Sequence, residues 1–96
     1  MVKFIELVAD NTRPSTSNFS LGEVWVNENY VIKLRAAPTY EMLLQEGRLP
    51  DHLDANHQFT AITTNNGANT ETHIVVGEIT GVAKKLNCDS RTLLKG

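Results

Sequence analysis

Asp51, His52, Asp54 and His57 place two imidazoles and two carboxylates within seven residues. These side chains are competent ligands for zinc, nickel or a similar ion when a loop curls around one, and an imidazole beside a carboxylate is also suited to acid–base work. Their spacing matches no established ligand motif, and a solvated polar loop is the favoured reading of them. His73 is the remaining histidine. If residues 57–64 pair with residues 71–78 as a hairpin, His73 falls near Thr63 and Thr64, far from His57, so geometry argues against a three-histidine site.

A second group, Trp25, Tyr30, Lys33 and Arg35, sets two aromatics and two cations on a short span. Aromatic faces with basic neighbours can stack bases of single-stranded nucleic acid, but the same residues also suit packing or an interface. Trp25 points away from Val24 and Val26 in a strand, so if the valines are core, the indole lies under a helix or in solvent. Ser15, Ser17 and Ser20 lack the glycine-framed elbow of a hydrolytic nucleophile. Cys88 has only Lys84 and Lys85 nearby to lower its pKa, and reads as a small packing residue.

The elements that must position these groups fit one domain, residues 1–96, with a loop at 10–20 and a helical excursion at 36–56. Residues 2–9 carry two apolar registers, which predicts a strand covered on both faces. The segment 10–18 is rich in turn formers, and Pro14 excludes a central ladder position. Val24/Val26 and Ile32/Leu34 alternate around Asn27-Glu28-Asn29, predicting two strands and a tight turn, or one strand with a bulge, with Asn27 and Asn29 able to take positive φ. Thr39–Glu46 has Tyr40, Leu43 and Leu44 at helical spacing, with Thr39 as N-cap and Gly47 as its stop. The excursion as a whole is long for so small a domain, as lids and interface arms are. A Thr-rich strand at 57–64, a reversal at Asn66-Gly67, a strand through Ile74 and Val76, and a helix presenting Ile79, Val82, Ala83 and Leu86 complete the chain, with Asn87 as a stop.

The 96 residues carry a net charge of −2, with 41% apolar and 21% charged side chains. These values are those of an ordinary folded domain and give no general field for phosphate backbones or anionic lipid. A single cysteine excludes an internal disulfide and suits a reducing compartment, so the cytoplasm is expected. The opening residues lack a signal-peptide pattern, and no apolar run is long enough to span a bilayer.

The string from Val24 to Leu34, followed by Phe59–Thr63 and by Ile74–Leu86, resembles the FlbD-type group of very small bacterial accessory proteins. The resemblance covers about half of the chain and rests on fold-setting residues. It implies a compact strand-turn-strand-strand-helix architecture and a small non-enzymatic accessory role. The loop at 10–20 and the excursion at 36–56 depart from that pattern.

The expectation is an α+β fold, a small curved antiparallel sheet of four or five strands, barrel-like, with a short inserted helix and a C-terminal helix. The leading functional expectation is a non-catalytic module that binds or assembles, a homo-oligomer, because Trp25, Tyr30, Leu43, Leu44, Leu93 and Leu94 exceed what one small core absorbs. No cofactor is expected, nor a membrane, and nucleic acid is disfavoured. The alternative is a small-molecule-binding protein or small enzyme whose site lies between the sheet and the 36–56 excursion, with Asp51, His52 and His57 as polar groups. A third reading is an accessory factor for a nucleic-acid or mobile-element process.

Overall fold

The computed structural model describes residues 1–9, 19–49, 53 and 56–87. They form an α+β unit of five strands and two helices: β1 (Val2–Ala9), β2 (Phe19–Val26), a 3₁₀ turn (Glu28–Tyr30), β3 (Val31–Ala36), α1 (Pro38–Gln45), β4 (Phe59–Asn65), β5 (Thr70–Val76) and α2 (Ile79–Lys85). The strands make one antiparallel sheet in the order β2-β1-β5-β4-β3.

The two apolar registers of β1 are explained by cover on both sides of the sheet. Phe4 joins Val26, Ile62, Val75, Val82 and Leu86 in one core, beneath α2. Leu7, three residues on and so of opposite parity, joins Phe59, Ala37 and Leu49 in the other, where Tyr40, Leu43 and Leu44 of α1 dock. Ile62 and Val75 have no exposed surface, and each fully buried aliphatic side chain contributes roughly 1.5–3 kcal/mol of transfer free energy. Two polar groups enter these layers with partners: Thr60 Oγ1 donates to the Gly77 carbonyl at 2.9 Å, and the Thr63 and Thr72 hydroxyls meet at 3.2 Å.

β2 and β3 follow each other in sequence but do not pair; they form the two opposite edges of the sheet. Only residues 27–30 join them. Glu6 lies beside Val75, Val26 pairs with Val2 four positions to one side, and Val31 pairs with Thr64, itself opposite Glu71, four positions to the other side. In a flat sheet the ends to be joined would lie about 26 Å apart along the strands and about 19 Å across them. Five Cα steps reach at most about 18 Å. The sheet therefore rolls until these opposite corners meet, although no ladder joins β2 to β3 and the sheet stays open.

The turn at this corner makes no use of the positive φ that its asparagines are able to take. Asn27 stays extended at φ −81° and its side chain accepts from Asn29 N–H at 3.0 Å, while its carbonyl accepts from Tyr30 N–H at 3.0 Å. Among the described residues only Asn87, at φ 57°, takes positive φ without being glycine. α1 likewise begins one residue earlier than expected. Pro38 occupies its first turn and Ala37 its cap, so Thr39 does not cap it, because proline's fixed φ and missing N–H suit that position.

At the β5–α2 junction, Gly77 has φ 144° and a Cβ there would lie 3.1 Å from Val82 Cγ2. Glu78 then caps α2, accepting from Thr80 and Gly81 N–H at 3.1 and 3.3 Å. The hydrogen bonds from Thr80 foremost, then from Gly81, with Lys84 assisting, hold its carboxyl below the ordinary value.

Ile62→Ala should lower stability by about 2–5 kcal/mol, read from the urea midpoint, because the buried site between helix and sheet collapses incompletely. For Glu78 the depressed folded pKa means that its contribution is present above roughly pH 4.3 and is lost as pH falls through the lower folded value. A Glu78→Gln variant should therefore lose less stability than the parent on acidification from about pH 5 to pH 3.

Candidate functional site

The rolled corner gathers side chains from distant parts of the sequence. Trp25 pairs with Lys3 across the β1–β2 ladder and so faces away from Val24 and Val26. It is not covered by α1; 58% of it is exposed. Tyr30 ends the 3₁₀ turn with 46% exposed, and Ile32, the second residue of β3, is 55% exposed. Trp25, Val26, Tyr30, Thr64, Glu71 and His73 are among the residues that line a hollow of about 280 Å³ at this corner.

His73 is held by two carboxylates. Glu6 Oε2 lies 2.6 Å from Nδ1 and Glu71 Oε2 lies 3.5 Å from Nε2. β5 places His73, Glu71 and the core residue Val75 on one face by its two-residue period, and the Glu6–Val75 pair brings β1 alongside. Glu6 and His73 are both about 20% exposed, whereas Glu71 is open to the hollow at 64%. At the same corner the Met1 ammonium lies 3.2 Å from Glu28 Oε2. A hydrogen bond from its own backbone N–H, then this ammonium, keep the Glu28 carboxyl below its ordinary value.

The other sequence candidates fall elsewhere. His57 is half-buried just before β4, and His73 pairs with Ile62 at the middle of that strand, one position short of the expected Thr63 and five residues on from His57, so the two histidines are apart. Asp51, His52 and Asp54 lie outside the described residues, as do Leu93, Leu94 and Cys88. Among the described residues no group of three or more His, Cys, Asp or Glu is arranged to hold a metal ion. Leu43 and Leu44 pack against the Phe59 core, and Tyr40 meets Phe19 edge-on at 6.0 Å and Phe59 at 6.3 Å. Side chains thus fill the space between α1 and the sheet at that point. Lys33 and Arg35 are exposed on β3, and among the described residues no lysine or arginine lines the hollow.

Sequence reasoning missed Glu6. It sits 67 residues from His73, and its one local signal is its place between Phe4 and Val8 on a single strand face. A smaller hollow of about 140 Å³ lies between Phe4 and α2, where Lys85 Nζ stands 5.7 Å from the Phe4 ring centre.

No known protein family, curated protein or solved structure matches the chain.

Glu6 and His73 connect β1 to β5, where a single residue pair defines the ladder. A double-mutant cycle with Glu6→Gln and His73→Ala should give a coupling of about 1 kcal/mol, measured by chemical denaturation. Additive effects of the two changes would mean that the contact does not hold the strands together.

Proposed function

We propose that this protein is a non-catalytic module that assembles with a second copy of itself through the corner between β2 and β3. One observation carries the reading: three large apolar side chains, Trp25, Tyr30 and Ile32, stand exposed within eight residues, flanked by the two unpaired edges of the sheet. Exposed edges offer free N–H and C=O groups to another strand, and natural proteins generally shield them. β3 carries Lys33 and Arg35, but β2 has Glu23 as its sole charged residue. Burying Trp25 and Tyr30 across a two-fold axis would remove large aromatic surfaces from water on both subunits.

The barrel-like shape expected from the sequence belongs to the same proposal. Rolling brings the two edges toward each other, so pairing with a second copy would finish a closure that the single chain leaves open. No helix among the described residues is long and apolar enough to cross a membrane. The single cysteine supports a reducing, cytoplasmic setting for the assembly.

Sedimentation velocity over a range of concentrations should show reversible self-association. Trp25→Ala should weaken it by about tenfold or more while leaving unfolding stability within about 0.5 kcal/mol, since the indole is mostly in solvent. A single monomeric species at the highest concentration would overturn the proposal.

A further inference from the structure

We propose that the second copy docks edge to edge on β2, antiparallel across a two-fold axis at Gly22, so that each Trp25 lies over the partner's Phe19. This register rests on the self-assembly proposed above and names the edge that carries it.

The two edges of the sheet are not equally open. β3 is six residues long, its register on β4 shifts between Val31 and Lys33, and it carries Lys33 and Arg35. A two-fold pairing of β3 would line those cations against their copies along an irregular edge, and both features are ones by which natural sheets keep an edge unpaired. β2 is eight residues long, pairs with β1 without a register shift, and has Glu23 as its only charged residue. Among the described residues nothing pairs with its outer side.

That outer side presents a row of polar backbone. Gln58 accepts from Gly77 N–H on the β5 side of β4, and Phe59 accepts from Ala37 N–H on the β3 side. Phe4 and Glu6 share the sheet face of Gln58 and Ile62, and β1 runs in the direction of β4, so they turn their N–H and C=O toward Val24 and Gly22. Those of Leu21, Glu23 and Trp25 therefore point out of the sheet.

β2 is also matched to itself. Phe19 and Trp25 share one face and stand three residues to either side of Gly22, so a two-fold axis at Gly22 sets each aromatic opposite the other. Phe19 already meets Tyr40 edge-on at 6.0 Å, and Tyr40 meets Phe59 at 6.3 Å, so the partner's Trp25 extends an aromatic row beside α1. Moving the axis to Glu23 would put two carboxylates directly opposite one another, which is unfavourable. Gly22 brings no side chain to the axis, where facing Cα atoms approach to about 4.5 Å.

Amide hydrogen exchange of the unmodified protein, followed by NMR at rising concentration, tests this register. The amides of Leu21, Glu23 and Trp25 should slow by about tenfold or more as the protein associates, whereas those of Gly22 and Val24, which face β1, should change little. In a Cys88→Ser background, Gly22→Cys should form an interchain disulfide with oxidised glutathione, because a Cα separation of about 4.5 Å suits one, and Glu23→Cys should not. Circular dichroism checks that both variants are folded. Replacing Lys33 and Arg35 together by alanine should leave association within about twofold, where a β3 contact would tighten on losing its repulsion. A protein that stays monomeric throughout defeats the self-assembly itself. Association with the three amides still in fast exchange, tighter association without the β3 cations, or a disulfide from Glu23→Cys in place of Gly22→Cys overturns the β2 register and leaves self-assembly standing.

Discussion

Four residues between two edge strands impose the constraint on which the rest of this structure depends. The register places Val26 and Val31 at opposite corners of a five-stranded sheet, and the link from 27 to 30 is too short to cross it flat. Rolling is therefore required by covalent reach, and the right-handed twist of strands supplies its direction at little cost. The 3₁₀ turn shortens the reach further, and Asn27 holds it closed with its own side chain.

Rolling also decides what the two helices can do. α2 supplies Val82 and Leu86 to the core that contains Phe4 and Ile62, while α1 covers the other face around Phe59 and Leu7. Each helix is under three turns and would not persist alone, so each owes its existence to the sheet it covers. The sheet in turn needs both, because β1 carries large apolar groups of both parities. The weakest part of this arrangement is the β1–β5 ladder, with its single residue pair. Glu6 and His73 lie beside that pair, in a position where a partly buried polar contact adds registry as well as energy.

Local chemistry was legible in the sequence, and long-range pairing was not. The period of Ile79, Val82 and Leu86 gave α2, and the opposite parities of Phe4 and Leu7 gave a strand covered twice. Asn66-Gly67 marked the reversal, which the structure closes with Asn66 Oδ1 accepting from Ala68 and Asn69 N–H. What no local pattern could reveal was that β2 and β3, adjacent in sequence, are four strands apart in the sheet. Adjacency is the ordinary expectation for neighbouring strands, and here chain order and spatial order disagree. The same disagreement hid the candidate site. Glu71 and His73 read as strand residues and Trp25 as an isolated aromatic until the roll set them around one hollow.

The two hollows show how the fold separates structural from available chemistry. At Phe4, the ring is buried in the core and Lys85 at the end of α2 covers it, so its interactions are internal. At the rolled corner, Trp25 and Tyr30 contribute to neither core, yet they are the largest apolar groups on that surface. A folding role does not account for them, since removing mostly exposed side chains costs a domain little. Both sit at the corner because the short link cannot close it without carrying them there. The link that forces the sheet to roll is thus also what brings these two exposed aromatics together at one corner.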